Sequence, residues 1–205
     1  MFDRELFFCK MSPGKGQSDR GVEWLYEVAV RALGRRARSS GEVRALLARR
    51  KAAKADIEAV VHRLKQNGYL DDARFARAFV SSRIENRLEG KMRVRRELAA
   101  RRVKPELADE AVRRGFEGMD EAALLRQYLQ RKLRVSKPLS KPSAVQSLFR
   151  RLLRAGFRSD TIVGELKRLL RGPLSKAAAS DEPVRWEELL DSLPETQEPE
   201  SEPRA

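Results

Sequence analysis

The sequence predicts an all-α protein, an elongated, curved array of three tandem three-helix repeats that resemble helix-turn-helix units. Apolar residues recur at helical spacing through most of the chain. Four apolar positions also recur after 51 residues and again after a further 54: Val43, Leu47, Ala52 and Val61, then Val94, Leu98, Val103 and Val112, then Leu148, Leu152, Phe157 and Leu166. Repeats of about 20 to 50 residues are typical of stacked arrays, whose small units bury their apolar faces against neighbours. Chance similarity among helices rich in leucine, alanine and arginine is the alternative.

The first repeat is predicted over residues 23–68. Ser39 and Glu42 have the spacing of a capping box, in which each side chain binds the other residue's backbone N–H, so a second helix should begin there. Gly68 suits the left-handed position that ends a third helix. The apolar face of the first helix is formed by Trp24, Leu25, Val28, Ala29, Ala32 and Leu33.

The second repeat is predicted over residues 69–116. Asp71 or Asp72 can cap its first helix, which is predicted to run to Arg87, by accepting hydrogen bonds from free backbone N–H groups. A second helix is predicted over residues 91–102. Pro105 suits the first position of a helix and therefore opens a third.

The third repeat is predicted over residues 117–172, with its first helix starting at Asp120. Residues 135–142 contain two prolines, each of which disfavours the helical conformation at the preceding residue. An extended connection is expected there. Two more helices are predicted, over residues 143–155 and 159–170.

The two ends of the chain differ in composition from the repeats. Residues 1–22 have scattered charge and no regular period, which indicates a disordered lead-in. Residues 173–205 carry three basic and nine acidic residues, a net charge of −6, whereas the first 172 residues carry +20. This acidic tail is predicted to be mostly disordered. Either it keeps the protein soluble, or its apolar stripe of Trp186, Leu189, Leu190 and Leu193 folds back on the basic body and competes with the partner.

The charge balance favours an anionic partner. The chain of 205 residues has 44 lysines and arginines against 30 aspartates and glutamates, a formal net charge of +14. A surface this basic attracts polyanions, above all nucleic acid or a protein–nucleic-acid assembly. A basic protein that is merely well solvated would show the same balance.

Few residues are available for a metal site, a disulfide or a membrane segment. Cys9 is the only cysteine and His62 the only histidine, so neither an internal disulfide nor a multi-ligand zinc site is available, and no cofactor is predicted. No apolar run approaches the length that crosses a bilayer, and residues 6–9 are too short for the apolar part of a signal peptide. We therefore expect a cytoplasmic protein without membrane contact.

The sequence contains no convincing catalytic constellation. His62 lies between apolar positions of a predicted helix, with neither a nucleophile nor a metal ligand beside it. Cys9 lies in the lead-in without a paired base. The phosphate-binding loop of nucleotide hydrolases is absent from the sequence. We predict that the chain is not an enzyme.

A patch of basic residues on the second and third repeats is the candidate working surface. Arginine suits such a surface because its planar fork can donate two hydrogen bonds at once to a phosphate or a carboxylate. For any single residue, a solvated helix face or an ion pair within the chain is the alternative. The candidates are Arg74, Arg77, Arg83, Arg87, Lys91, Arg93, Arg96, Arg101, Arg150, Arg151, Arg154, Lys167, Arg168 and Arg171.

The segment from Gly68 to Arg83 resembles the signature of the RecX family, whose members regulate the RecA recombinase. The residues that fill the family's pattern in register are Asp71, Asp72, Phe75, Ala76, Phe79 and Arg83. The resemblance extends over residues 23–171. Residues 94–103 and 148–157 resemble further elements of the family, although Arg102 stands where the family usually has glycine. Residues 90–92 also depart from the Gly-x-Gly-Pro often found there.

The resemblance implies binding to the RecA filament on single-stranded DNA, across adjacent RecA protomers. It further implies restraint of filament growth, ATP turnover and strand exchange, and thus damping of recombination, DNA repair and the SOS response. Weak, non-specific binding to single-stranded and double-stranded DNA is expected, and nothing demands more than a monomer. The alternative is a transcriptional or architectural DNA-binding module that acts without RecA.

Overall fold

The computed structural model describes residues 21–132 and 142–171, apart from the side chains of residues 132 and 171. Every regular element in these ranges is helical: α1 (Val22–Arg35), α2 (Ser40–Ala48), α3 (Lys54–Gln66), α4 (Asp72–Ser82), a π-helical turn (Arg83–Arg87), α5 (Lys91–Ala100), α6 (Pro105–Gly115), α7 (Glu121–Lys132), α8 (Pro142–Arg154) and α9 (Ser159–Arg171). Residues 1–20 of the predicted lead-in, residues 135–141 of the predicted connection and the predicted tail lie outside the described residues. The chain divides after Leu70 into two compact units.

The first unit contains α1, α2 and α3. Its capping box is confirmed: Ser39 Oγ accepts the Glu42 N–H at 3.0 Å, and Glu42 Oε2 accepts the Ser39 N–H at 3.3 Å. Gly68 has the predicted left-handed conformation, with φ of 72°. The three helices enclose a core of Leu25, Ala29, Val43, Leu47, Ile57, Val60, Val61, Leu64 and Leu70.

The second unit contains two helix trios, α4–α6 and α7–α9, each with its own apolar cluster. Asp71 Oδ1 accepts the Arg74 N–H at 2.9 Å and caps α4, and Pro105 occupies the first turn of α6, both as predicted. The cluster of the α4–α6 trio contains Ala76, Val80, Val94, Leu98, Val103, Ala108, Ala111 and Val112. The cluster of the α7–α9 trio is built mainly from leucines and includes Phe149 and Phe157.

The helix predicted from Asp72 to Arg87 is α-helical only as far as Ser82. A π-helical turn follows, and Leu88 then takes a left-handed conformation with φ of 55°. The reason lies in the packing. Ile84, inside the π-helical turn, packs against the clusters of both trios, and Leu88 is buried in the cluster of the α7–α9 trio. Spacing along one helix cannot reveal a partner that lies in the next trio.

Two of the four repeated apolar positions, those of Leu47 and Ala52 in the first unit, flank the end of the second helix of each trio. Residues Lys51, Arg102 and Gly156 stand at equivalent places and all have positive φ, of 59°, 58° and 94°. The Val103 N–H donates to the Leu98 carbonyl at 3.2 Å, and 54 residues later the Phe157 N–H donates to the Leu152 carbonyl at 3.4 Å. This is the Schellman helix ending, which brings the two apolar residues that flank it into contact. Two of the four repeated positions therefore mark a recurring helix end, whereas the other two lie inside the second and third helices.

We expect the replacement Arg102→Gly to raise the free energy of unfolding by up to about 1 kcal/mol. The left-handed conformation costs a residue with a side chain about 1 to 2 kcal/mol, and glycine avoids this cost. The greater conformational freedom of glycine in the unfolded chain offsets part of the stability gained. Urea denaturation of the full chain measures the change. Gln127 is exposed within α7, and the control Gln127→Gly should lower the free energy of unfolding by about 1 kcal/mol. A loss at residue 102 as large as that of the control would contradict the prediction.

An ion pair between the second and third helices also repeats after 51 residues. Arg44 Nε lies 2.8 Å from Glu58 Oε1, and Arg95 Nε lies 2.6 Å from Asp109 Oδ1. At the equivalent positions of the α7–α9 trio stand Phe149, which is buried, and Val163, which packs against the same cluster. The third trio has therefore replaced an exposed ion pair by apolar contact.

Candidate partner-binding surface

The two trios of the second unit meet where the N-terminus of α5 lies against the C-terminal end of α8. The Gly90 N–H donates to the Ala155 carbonyl at 2.9 Å, and the Met92 N–H donates to the Gly156 carbonyl at 3.2 Å. The first N–H groups of a helix have no partners inside it, and no side chain at the N-cap of α5 binds them. The α7–α9 trio therefore caps a helix of the α4–α6 trio. This contact, formed by residues 88–93 and 154–157, is named the joint.

Glycine at positions 90 and 156 permits this approach of two backbones. A β-carbon on Gly90 would lie 2.3 Å from the Gly156 carbonyl oxygen. One on Gly156 would lie 2.4 Å from the backbone nitrogen of Arg93. Both distances are far inside van der Waals contact, so the joint in this form requires both glycines.

Four charged side chains form a network beside the joint. Arg83 Nη2 lies 2.8 Å from Glu97 Oε2, and Arg83 Nε lies 3.8 Å from Glu89 Oε2. Arg93 Nε lies 3.2 Å from Glu89 Oε1 and 3.0 Å from Glu97 Oε1. The guanidinium of Arg83 also lies 4.6 Å from the centre of the Phe79 ring, where a cation is attracted to the aromatic face. The residues Arg83, Glu89, Arg93 and Glu97 are named the buried ion network.

Two members of the buried ion network are withdrawn from solvent, whereas Glu97 is partly exposed and Arg93 is more than one third exposed. The Glu89 side chain is 7% exposed and the Arg83 side chain 15%. Burial raises the pKa of Glu89, as does the neighbouring Glu97 carboxylate, while Arg93 and Arg83 act in the opposite direction. The charge of Arg83, a predicted contact residue, is thus directed at carboxylates of its own chain.

The joint brings basic side chains of both trios to one region. The Arg93 Nη1 donates to the Arg154 carbonyl at 3.5 Å, which links α5 to the end of α8. Five basic residues lie in this region or within about one helical turn of it; all are exposed, and none makes an ion pair with a carboxylate in the described part of the chain. They are named the cationic surface and are Arg87, Lys91, Arg150, Arg151 and Arg154.

The other predicted contact residues fall into two groups. Arg168 pairs with the buried Glu165 at 2.9 Å, and the Arg101 guanidinium lies 5.8 Å from the Phe79 ring centre. Arg74 and Lys167 also interact within the chain. By contrast, Arg77 and Arg96 are exposed and have no ion pair among the described residues, although Arg96 donates to a carbonyl of its own helix. The side chain of Arg171 lies outside the described residues.

Two acidic residues of this region, Glu89 and Glu97, have no role in the sequence-based prediction. Their spacing offered a signal, since Arg93 follows Glu89 by four residues and precedes Glu97 by four, so that one arginine can reach both carboxylates. That spacing is common on solvated helices. Only the burial of Glu89 separates this network from a surface ion pair.

The described ranges contain no cluster of three histidine, cysteine or acidic residues that could bind a metal ion. His62 is exposed on α3, and Cys9 lies outside the described residues. None of the helices in those ranges is long and apolar enough to span a membrane.

Two family models match the chain. The model of the second three-helix domain of RecX matches residues 71–112, and that of the first three-helix domain matches residues 26–64. The regulatory protein RecX of Halorhodospira halophila is 33% identical over 141 residues, which are 68% of this chain and 84% of that protein. The chain belongs to the RecX family. The prediction made from the signature segment is confirmed.

Further comparisons agree on the fold. The crystal structure of RecX from Lactobacillus salivarius superposes with a TM-score of 0.61 at 16% identity, covering 72% of this chain and 96% of that one. The prediction of an all-α fold of tandem three-helix units is confirmed; the predicted domain boundaries, elongation and curvature stay predictions. The regulatory protein RecX of Bacillus licheniformis is 31% identical over 142 residues, and the match spans only 54% of its length. The chain thus spans about half of some RecX relatives.

Proposed function

We propose that this RecX chain binds the RecA filament on single-stranded DNA and restrains filament growth, ATP turnover and strand exchange. Through that restraint it damps recombination, DNA repair and the SOS response, in the cytoplasm, as a monomer and without catalysis of its own. Membership of a family of regulatory proteins supports a partner of this kind. Under this proposal the fourteen predicted basic residues divide into contact residues and residues that stabilise the fold.

The observation that carries the proposal is the cationic surface. Its five side chains reach solvent without an ion pair in the described residues. Arg87 lies near enough to Glu89 to act on the pKa of that carboxyl, whereas the attraction of Lys91 and of the three α8 arginines for an external anion is not already satisfied. Nucleic-acid phosphates and acidic side chains of a partner protein are both suitable ligands for the fork of arginine. A surface that touches neighbouring RecA protomers and nearby phosphates together gains avidity from individually weak contacts.

The test measures ATP turnover by RecA assembled on single-stranded DNA, while the chain is titrated in at fixed salt. The natural chain should inhibit at concentrations well below that of RecA. The variant Arg150→Gln, Arg151→Gln, Arg154→Gln should need about tenfold more protein or higher for the same inhibition, because three phosphate or carboxylate contacts are lost. No inhibition by the natural chain would refute the proposal.

A matched control separates a local contact from a general effect of charge. Arg31, Arg35 and Arg49 are exposed in the first unit and have no ion pair among the described residues. Their replacement by glutamine removes the same charge as the α8 variant, and inhibition should weaken by less than about threefold. Equal weakening in the two variants would show that net charge, rather than the cationic surface, attracts the filament.

The second candidate is a DNA-binding module that acts without RecA. The same exposed cations favour it, since they would bind phosphates of any nucleic acid. Binding of the chain to a labelled oligothymidylate with a steep salt dependence, together with unchanged ATP turnover by RecA, would select this candidate. Inhibition of RecA at concentrations too low to coat the DNA would exclude it.

A further inference from the structure

The cationic surface has an acidic counterpart within the same chain. Residues 173–205 carry a net charge of −6 and follow directly on α9, the last helix of the unit to which the cationic surface belongs. Five of the nine acids lie within residues 181–193, which also contain the apolar stripe of Trp186, Leu189, Leu190 and Leu193. These five are Asp181, Glu182, Glu187, Glu188 and Asp191. Acid and apolar character therefore coincide in one short segment.

We propose that the tail segment of residues 181–193 binds the outer face of α8 within the same molecule and competes there with the nucleic acid or filament. The inference rests on the proposed function, because it regulates access to the same cationic surface. An external partner must therefore bind the cationic surface more strongly than the tail segment does before it can displace that segment. A long polyanion reaches the required affinity through many simultaneous contacts, whereas an isolated anionic group does not.

The face of α8 offers both kinds of contact that this segment requires. Arg150, Arg151 and Arg154 are exposed, and Leu153 is only partly buried where it packs on the outside of the α7–α9 cluster. Leu169 of α9 is partly buried against the same cluster. The segment can therefore pair carboxylates with guanidinium groups while its apolar stripe covers leucines that the fold leaves partly exposed.

The length of chain between α9 and the segment permits the contact. Trp186 follows the end of α9 by 15 residues, a length that can extend over roughly 50 Å. A tether of this kind gives an effective concentration on the order of millimolar. A contact with a dissociation constant of about 0.1 mM would therefore weaken the binding of an external ligand about tenfold. The contact need not be strong to matter.

The first experiment compares two full-length variants of equal charge. Glu187→Gln, Glu188→Gln, Asp191→Asn neutralises three acids of the segment, and Glu198→Gln, Glu200→Gln, Glu202→Gln neutralises three acids beyond it. Affinity for a labelled oligothymidylate, followed by fluorescence anisotropy at fixed salt, should rise about tenfold in the first variant and less than about threefold in the second. Equal rises would overturn the proposal, because they would show a general charge effect.

The second experiment detects the contact without any ligand. Trp24 and Trp186 are the only tryptophans, so Trp24→Phe leaves Trp186 as the sole reporter. The emission of Trp186 should shift to longer wavelength when salt or oligothymidylate is added. The shift should already be present in the variant that also carries Arg150→Gln, Arg151→Gln, Arg154→Gln. The control variant, which carries Trp24→Phe together with Arg31→Gln, Arg35→Gln and Arg49→Gln, should have the same Trp186 emission wavelength as the protein with Trp24→Phe alone.

Emission unaffected by salt and by the α8 substitutions would overturn the proposal. Emission that depends on protein concentration would also overturn it, since the segment would then bind a second copy of the chain. These readings stay separate from the proposed function. If RecA is unaffected by the chain, the emission of Trp186 still reports whether the segment binds α8; if RecA is inhibited while the emission is insensitive, only the tail proposal fails.

Discussion

Replacing Gly156 by alanine is expected to lower the free energy of unfolding of the second unit by about 3 to 5 kcal/mol. Two effects combine. The backbone at Gly156 has φ of 94°, which strains any residue with a β-carbon. The added methyl group would also lie 2.4 Å from the Arg93 nitrogen, and relief of that clash separates the Gly90 and Met92 N–H groups from their acceptors in the α7–α9 trio.

Gly164→Ala is the matched control for this substitution. Gly164 is exposed within α9, and a β-carbon there would meet no atom within 4 Å. Because glycine is unfavourable inside a helix, the free energy of unfolding of this variant should rise by about 0.5 to 1 kcal/mol. Urea denaturation followed by circular dichroism measures both variants. A loss below about 1 kcal/mol for Gly156→Ala would mean that the joint contributes little to stability.

Replacing Arg83 by alanine is expected to lower the free energy of unfolding by about 2 to 3 kcal/mol, because Glu89 and Glu97 would then keep only Arg93 as an ion-pair partner. The carboxylate of Glu89 is nearly buried, so water cannot replace the lost guanidinium. The substitution also removes the cation from the face of Phe79. Arg77→Ala, exposed on the same helix without an ion pair among the described residues, should change stability by less than about 0.5 kcal/mol.

The loss of unfolding free energy caused by Arg83→Ala, called the deficit below, should depend on pH. Arg83 acts to lower the pKa of Glu89, so its loss raises that pKa further above the ordinary value of 4.5. A carboxyl group with a raised pKa in the folded state favours folding while it is protonated, and this contribution is lost as the pH rises. The deficit should therefore be smaller at about pH 4 than at about pH 7. A deficit that is unchanged over this range would contradict the assignment of the loss to Glu89.

Most helix boundaries of the fold could be predicted because they depend on local chemistry. The capping box of Ser39 and Glu42, the left-handed Gly68 and the proline at the start of α6 each involve residues at most four positions apart. The π-helical turn after Ser82 could not be predicted in this way. Its side chains pack against helices α7–α9, which begin more than 30 residues later in the chain.

The candidate surface was predicted only as a set of basic residues of equal standing. Arg83 and Arg150 are both arginines of predicted helices and cannot be told apart in the sequence, yet the first lies in the buried ion network and the second is exposed. The difference arises because Arg83 meets a carboxylate 14 positions away, on another helix, and Arg150 meets none among the described residues. Helical periodicity places a side chain on a face but does not say what lies opposite it.

The sequence by itself determined the all-helical repeats, the family and the excess of positive charge, because these depend on composition, on local capping and on spacing along one chain. The tertiary structure alone decided which arginines are already neutralised and how two trios join through Gly90 and Gly156. The physical reason is distance. Burial, close backbone approach and ion pairing are set by residues that are remote in sequence and are brought together only when the helices pack.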